Sequence, residues 1–519
     1  MKPHTAVAPA TGGCQDRAPA GETESFMHTT SDDGTCSPGI AWQYGQVDRA
    51  FATARSENRP LFLFWSAEWC PDCAQIKATI FSRRELIDRT RAFLPIYLDG
   101  DTDQAQRLGE RFGAFVYPTT IIFAPDGTEI TRLANAIDIQ QYGRALDTAH
   151  SMMTPVRELL RRLLSDTDKG LGPDECRLLA YYNWDQDKQL TLSNMDPVRL
   201  FSTMAQACPE TMPVERSRLY AEHLRAMLKT GVIPDADQEQ TAQRLQTMLA
   251  DPDMRLANLD LIINRPGETL AGLSPANWSG RQDLEAAWQL ALDALEATPG
   301  LSVTERTCIT RGRVRIVRAY DSRAVLPPEL LEQALIQARW VDENTQGYER
   351  QSAINAVANT LIEAGQYDQA IAILSRELEK TTAPFYFMNK LSIASRKAGQ
   401  TRQALAWLER AHAEASGPAT RFQWGVNLLI GLVNLAPDEA DAIEQTAVSL
   451  IKELGKSVEP LYNRNISQLR RLDEIISQWN ESNAHAESLQ HIRAALTGVC
   501  DSLQENQAVP LLCQEFLAG

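Results

Sequence analysis

Short apolar runs alternate with amphipathic stretches between about residue 40 and residue 150. The run LFLFW at 61–65 is aromatic-rich and follows Pro60, which is typical of a buried strand. Apolar residues that recur every three or four positions on both sides of it indicate helices. The pattern predicts helices at 47–55, 74–89, 102–112 and 137–152 and strands at 61–65, 93–98, 119–123 and 129–133. This order predicts an α/β unit with a central mixed sheet flanked by helices.

Two cysteines, Cys70 and Cys73, stand where the first predicted strand passes into a helix. Unpaired N–H groups at a helix N-terminus stabilise a thiolate, so we expect the pKa of Cys70 to fall from about 8.5 toward about 7 or lower. A cysteine three residues on lies one helical turn away, within reach of a disulfide. We expect Cys70 to be the exposed attacking thiol and the shielded Cys73 to resolve the mixed disulfide.

Two other interpretations of this pair are weaker. A zinc site would need a second pair of ligands, and the seven histidines and the other cysteines offer none at ligand spacing. An inert structural pair is disfavoured because the strand, the helix start and a downstream proline all agree with redox use. We therefore expect no metal and no cofactor beyond a redox-active Cys70–Cys73 disulfide. The other seven of the nine cysteines are expected to be independent thiols.

The residues around the pair carry a resemblance to a known family. The segment FLFWSAEWCPDC at 62–73, with YPT at 117–119 and then IIFAPDG, resembles the thioredoxin-like domain of bacterial thiol-disulfide interchange proteins. The resemblance covers roughly 110 of the 519 residues and implies a thioredoxin fold with thiol-disulfide oxidoreductase activity. It also implies that Pro118 is cis beside the disulfide, and that Tyr117 and Pro118 bind a substrate peptide. Trp69, directly before the first cysteine, belongs to the same motif.

Residues next to the thiols are candidates for tuning their redox properties. Thioredoxins carry a buried aspartate where this chain has Phe64, so Glu68 is the remaining proton-relay candidate, with a solvated loop carboxylate as the equal alternative. Pro71 suits the first position of a helix because that position has no N–H partner. Trp69, Glu68 and Asp72 complete the set. We expect Glu68 and Asp72 to disfavour the Cys70 thiolate and make the pair reducing, with a potential below about −120 mV.

The remaining 360 or so residues contain amphipathic blocks separated by proline, glycine and aspartate, which is typical of stacked helical hairpins. The segment AGQYDQAIAIL at 364–374 returns as AGQTRQALAWL at 398–408, an offset of 34 residues. That offset is the tetratricopeptide (TPR) period, and a degenerate third copy lies near 420–454. We predict an all-α, TPR-like array that either binds a protein or peptide or is a scaffold without a ligand. Trp407 and Trp424 are expected in its core.

Charge and apolar run length exclude two classes of partner or location. The chain has 67 acidic and 51 basic side chains, a formal charge of −16, which disfavours nucleic acid as a partner. No apolar run approaches the roughly 20 residues of a membrane span. We predict a disordered leader at 1–38, a thioredoxin-like domain at 39–153, irregular helical hairpins at 154–345 and a TPR-like region at 346–519.

The leading functional prediction is an enzyme that reduces or isomerises disulfides in protein substrates, with an upstream dithiol as electron donor and client proteins on the helical array. The alternative is a redox-linked scaffold or holdase chaperone whose array binds clients. Residues 1–14 lack the apolar stretch of an export signal, which predicts a cytoplasmic protein as written. The periplasm is the alternative if an export signal is missing from this start, and Met27 is an alternative start.

Overall fold

A computed structural model describes residues 28–30, 36–133, 139–165, 170–187, 196–231, 233, 235–273, 278, 280–417, 419–456 and 463–504. Its strands are β1 His28–Thr30, β2 Cys36–Pro38, β3 Gln43–Tyr44, β4 Leu61–Ser66, β5 Leu94–Asp99, β6 Thr119–Phe123 and β7 Glu129–Leu133. Strands β3 to β7 form one sheet in the order β3-β5-β4-β6-β7, with β3 and β4 parallel to β5 and the other pairs antiparallel. The predicted mixed sheet is confirmed.

The central strand β4 explains why its sequence lacks polar alternation. Every residue from Leu61 to Ser66 is buried, because β5 and β6 cover its edges and helices cover both faces of the sheet. The flanking helices are α1 Val47–Glu57, α2 Pro71–Ile76, α3 Arg84–Thr90, α4 Asp103–Phe112 and α5 Ile139–Met152. The sequence pattern missed the two-residue edge strand β3, which is too short to show a period.

The helix predicted at 74–89 is interrupted. Helix α2 passes into a π-helical turn at Lys77–Phe81, and α3 begins anew after an extended Arg83. The hydroxyls of Thr79 and Ser82 donate to the carbonyls four residues earlier, at 2.8 and 2.6 Å. Hydroxyls bonded in this way bend and loosen a helix, which accounts for the break.

Nineteen further helices lie in the described residues after the sheet. They are α6 Val156–Ser165, α7 Pro173–Ala180, α8 Pro197–Ala207, α9 Pro213–Lys229, α10 Asp235–Ala250, α11 Pro252–Ala257, α12 Leu259–Asn264, α13 Pro266–Leu273, α14 Arg281–Glu296, α15 Val303–Val317, α16 Pro328–Asn344, α17 Gly347–Glu363, α18 Tyr367–Glu377, α19 Pro384–Lys397, α20 Thr401–Glu414, α21 Thr420–Leu435, α22 Ala440–Leu454, α23 Asn463–Trp479 and α24 Ala486–Gln504. In this part of the chain, no helix has both the length and the apolar character needed to cross a bilayer.

The two copies of the repeated segment have the same local structure. Gly365 and Gly399 both adopt left-handed backbone, with φ of 80° and 79°, in the turns that join α17 to α18 and α19 to α20. Glycine adopts this conformation at little cost. The repeated alanines Ala370 and Ala404 are fully buried, where a small side chain lets paired helices pack closely. The predicted helical-repeat array is thus confirmed.

The core of the sheet continues into the helices that follow it. Tyr182 forms an isolated bridge with Leu133 at the free edge of β7, and one hydrophobic cluster runs from the sheet through α9. Cys176 in α7 and Cys208 after α8 form a disulfide with 5.5 Å between their Cα atoms. Cys500 is disulfide-bonded as well. The expectation of independent thiols is wrong for these three, because pairing depends on how distant helices pack rather than on spacing in the sequence.

The predicted leader contains a pair of short strands. Strands β1 and β2 pair antiparallel within residues 1–38, where we predicted disorder. Residues 1–27 and 31–35 of that leader lie outside the described residues. The boundaries near 153 and 345 stay predictions.

Candidate redox site

The dithiol lies at the N-terminus of α2, as the sequence predicted. Cys70 is the N-cap residue, with extended backbone at φ −82° and ψ 114°, and Pro71 occupies the first helical position. The backbone N–H of Cys73 donates to Cys70 Sγ at 3.2 Å. Both cysteines are free thiols in this structure. The helix start therefore directs an N–H group at the first sulfur, which is the local geometry that assists a thiolate.

Burial changes the balance at this sulfur. Cys70 is 4% exposed and Cys73 is fully buried, so the predicted exposure of Cys70 is wrong. Loss of solvent raises the pKa of the Cys70 thiol well above its usual range, and the neighbouring Cys73 and Asp72 raise that pKa further. The N–H of Cys73 acts in the opposite direction but is outweighed. The predicted low pKa is therefore not found in this closed, reduced state, because desolvation disfavours the charged form.

Aromatic residues of the helical array cover the dithiol. The Trp69 indole stacks on Tyr386 of α19, with ring centroids 6.0 Å apart and planes at 22°, and lies 5.2 Å from Trp424 of α21. Trp424 is buried and donates its indole N–H to the Phe385 carbonyl at 2.9 Å. Trp424 thus lies in a core, as predicted, but that core is shared between the sheet domain and the array. Trp407 is half-buried against the same cluster.

A carboxylate joins the two parts of the chain beside Trp69. Asp101, which follows β5, accepts a hydrogen bond from Trp69 Nε1 at 2.9 Å and another from the Thr420 hydroxyl of α21. Burial raises the pKa of Asp101 to about 6, against the opposing effect of these hydrogen bonds. The contact therefore includes an acid that changes charge within the ordinary pH range.

The loop opposite the dithiol has the geometry that the resemblance implied. The Tyr117–Pro118 peptide bond is cis. Tyr117 is buried, its hydroxyl accepts a hydrogen bond from Gln106 at 2.9 Å, and its ring packs edge-on to Trp69 at 5.6 Å. A methyl group at Gly100 would overlap the Tyr117 ring, so this position requires glycine. Contacts with Gln106, Trp69 and Gly100 thus hold Tyr117 in place.

A cleft of about 620 Å³ opens in front of these groups. Cys70, Tyr117 and the exposed Val116 line one side of it. Helix α23 supplies the other side through Arg464, whose guanidinium lies 4.3 Å from the Tyr117 ring centre and donates to the Phe115 carbonyl at 3.3 Å. The volume falls in the range of ligand pockets in proteins. The thiol is therefore enclosed by the array but reaches a cavity.

The two acids near the first thiol are placed differently. Glu68 is exposed and faces the array, where its backbone carbonyl accepts from Gln351 at 2.9 Å and its carboxylate lies 3.4 Å from the Thr382 hydroxyl. Among the described residues no hydrogen bond joins Glu68 to either thiol, and its role as a proton relay stays a prediction. Asp72 is exposed too, but it lines both the cleft and a second cavity against α2, where desolvation raises the pKa of its carboxyl although Arg311 and Lys390 oppose that shift.

The sequence reasoning missed other residues close to the dithiol. Lys77, one turn after Cys73 at the start of the π-helical turn, is buried and donates to the Tyr97 hydroxyl at 3.1 Å. Burial raises the pKa of Tyr97, and the nearby Cys73 adds to that rise. In the sequence, the position of Lys77 four residues after Cys73 could have indicated that this lysine lies near the dithiol. No local signal points to Arg464, since it meets Phe115 across 349 residues of sequence.

Comparisons with known proteins agree with this geometry. Residues 47–150 match the family model of the thioredoxin-like domain. Over 102 residues the chain is 32% identical to the thiol:disulfide interchange protein DsbD 1 of Pseudomonas aeruginosa. That match takes in 19% of this chain and 17% of the relative, so the chain spans about a sixth of the relative's length. Residues 47–150 are a thioredoxin-like domain, and a TPR-like helical array follows it.

Proposed function

We propose that this protein is a thiol-disulfide oxidoreductase that reduces or isomerises disulfides in protein substrates through Cys70 and Cys73. One observation carries the proposal. Cys70 Sγ sits at the start of α2 and lines the same cleft as Tyr117 of the cis Tyr117–Pro118 bond. The match of residues 47–150 to the thioredoxin-like family supports it.

The reaction transfers two electrons from the dithiol to the substrate. The Cys70 thiolate attacks one sulfur of a substrate disulfide, which forms a mixed disulfide and releases the other substrate sulfur as a thiolate. Cys73 then loses its proton and attacks Cys70 Sγ, which releases the second substrate thiol and leaves a Cys70–Cys73 disulfide. An external dithiol, the proposed electron donor, reduces that disulfide again. Because desolvation raises the pKa of Cys70, we propose that opening of the cleft to solvent assists its ionisation.

The array forms part of this site. Tyr386, Trp424 and Arg464 all reach the face of the domain that carries the dithiol. We propose that α19, α21 and α23 restrict which polypeptides approach Cys70. The protein's own thioredoxin-like domain thus covers part of the array.

The test is insulin reduction driven by dithiothreitol with the full chain. We expect wild-type protein to accelerate insulin precipitation, Cys70→Ser to abolish that acceleration, and Cys308→Ser to leave it unchanged. Cys308 is the matched control because it is the other free thiol among the described residues. Turnover by Cys70→Ser at the wild-type rate would refute the proposal.

A second candidate, the redox-linked holdase, is favoured by the burial of Cys70 beneath the array. In that case the array holds clients, and the thiols sense redox state without turnover. The same preparation distinguishes the two functions. A wild-type protein that suppresses client aggregation, yet reduces insulin no faster than Cys70→Ser, would support the holdase.

We further propose the periplasm, the alternative compartment, as the site of action. The Cys176–Cys208 disulfide and the disulfide-bonded Cys500 support this choice, because structural disulfides persist in oxidising compartments. Fractionation of native cells with N-terminal sequencing tests it. Recovery of the protein in the cytosolic fraction with Cys176 and Cys208 reduced would contradict it.

A further inference from the structure

A second cavity lies against α2 and adjoins the cleft. It has a volume of about 430 Å³, and helices α12, α15, α17 and α19 of the array enclose it against the thioredoxin-like domain. Pro71 and Asp72 reach it from the domain, whereas neither Cys70 nor Cys73 lines it. It shares Pro71, Asp72 and Tyr386 with the dithiol cleft described above, but Arg311 and Lys390 line this cavity alone.

Two cations face this cavity without a carboxylate partner. Arg311 of α15 and Lys390 of α19 line it, and no ion pair within 4.0 Å involves either residue in the described part of the chain. Arg311 donates instead to Asn264 at 2.6 Å and to Cys308 Sγ at 3.2 Å, and its buried Nε has no hydrogen-bond partner. Lys390 donates to Asn359 at 2.9 Å.

The other acids of the cavity wall are already engaged. Asp260 is ion-paired with Arg218, and Glu305 accepts hydrogen bonds from Ser302 in a capping box. Asp72 is the remaining carboxylate, and it lies beyond ion-pair distance of both cations. The positive charge of Arg311 and Lys390 is thus not neutralised by direct contact.

Three asparagine side chains, Asn264, Asn355 and Asn359, line the same space, and each uses its amide oxygen as an acceptor. Asn264 and Asn359 must present their carbonyl oxygens to Arg311 and Lys390, since these cations have only donors. Asn355 accepts from the Tyr386 hydroxyl at 3.2 Å. With its oxygen engaged, each side chain is left with an NH₂ group to donate.

A wall of this composition suits an anion. It combines two cations with three amide side chains whose oxygens already accept hydrogen bonds, and Asp72 is its one carboxylate without an ion pair or capping hydrogen bond among the described residues. Charged hydrogen bonds of Arg and Lys to oxyanions are among the stronger polar contacts in proteins. We infer that this cavity binds a small oxyanionic ligand, a carboxylate or a phosphate, through Arg311, Lys390 and the amide groups of the three asparagines. The inference does not depend on turnover at the dithiol.

The test measures binding to the reduced full chain with two probes, inorganic phosphate and succinate, against sodium chloride at equal ionic strength. We expect at least one probe to raise the melting temperature and to slow alkylation of Cys308, which lies on the cavity wall. Phosphate alone or succinate alone would identify which oxyanion the cavity accepts. Arg311→Gln and Lys390→Gln should each weaken the apparent affinity about tenfold or more.

Arg402→Gln is the matched control, since Arg402 is exposed and lies outside this cavity. It should bind like wild type. If Arg311→Gln fails to fold, Lys390→Gln and Asn359→Ala provide the same comparison. No effect of either probe on wild type, or equal binding by wild type and the cavity variants, would overturn the inference.

Discussion

Two nearby helices of the array, α21 and α23, use the same kind of aromatic contact in two different clusters. Trp424 donates its indole N–H to the Phe385 carbonyl at 2.9 Å, and Trp479 donates to the Pro437 carbonyl at 3.0 Å. Both are buried. Trp479 packs within a cluster made of the last helices alone, whereas Trp424 packs in the cluster that contains the dithiol. We expect both contacts to stabilise the array, and only the Trp424 contact to limit access to Cys70.

The largest expected effect comes from removing these indoles. Trp424→Ala and Trp479→Ala should each lower the free energy of unfolding by about 3 to 5 kcal/mol, because each leaves a cavity and loses a hydrogen bond. Alkylation of Cys70, followed by mass spectrometry of its peptide, should accelerate in Trp424→Ala alone. Equal acceleration in the two variants would show that general loosening, rather than the cover over Trp69, controls access.

Glycine substitutions provide the next comparison. Gly100→Ala should cost about 1 to 3 kcal/mol, because the added methyl overlaps the Tyr117 ring beside the cleft. Gly498 lies inside the last helix, α24, and a methyl group added there would meet no atom within 4 Å. Gly498→Ala should therefore raise the free energy of unfolding by about 0.5 to 1 kcal/mol. Urea denaturation measures both. A neutral Gly100→Ala would show that Tyr117 is not held as described.

The pH dependence of stability also distinguishes the region around the dithiol from the last helices of the array. The pKa of Asp101 is raised to about 6 in the folded chain, so its neutral form is favoured there. The stabilisation of the folded state by Asp101 is therefore fully present below the ordinary aspartate pKa and is lost as pH rises through about 6. Asp101→Asn should remove about 1 to 2 kcal/mol of this decline between pH 4 and pH 7, after allowance for solvent screening. The exposed Asp438→Asn should leave the profile unchanged, and an unchanged profile in Asp101→Asn would contradict the account.

The smallest effect concerns the two acids beside the first thiol. Asp72 contributes to the raised pKa of Cys70, whereas Glu68 faces Thr382 of the array. Asp72→Asn should therefore lower the Cys70 pKa, read from thiolate absorbance near 240 nm, and Glu68→Gln should change it less. Equal effects would support the sequence-based prediction that both acids act on Cys70, and a larger effect of Glu68→Gln would contradict the structural distinction.

The sequence predicted the parts of this site that depend on local order. The helix start at Pro71, the sheet around β4 and the turns at Gly365 and Gly399 all follow from residue type and spacing. The burial of Cys70 does not, because it depends on helices more than 300 residues away. For the same reason, a helix N-terminus predicted a low thiol pKa where the packed array raises it.

Direct trapping of the reaction intermediate tests the central claim that Cys70 is the attacking thiol. Reduced Cys73→Ser protein, with Cys308 also changed to serine in a parallel sample, is mixed with oxidised insulin and mapped by mass spectrometry. The account predicts a mixed disulfide through Cys70 in both samples. An adduct that forms through Cys308, or no adduct at Cys70 while the protein remains folded, would contradict it.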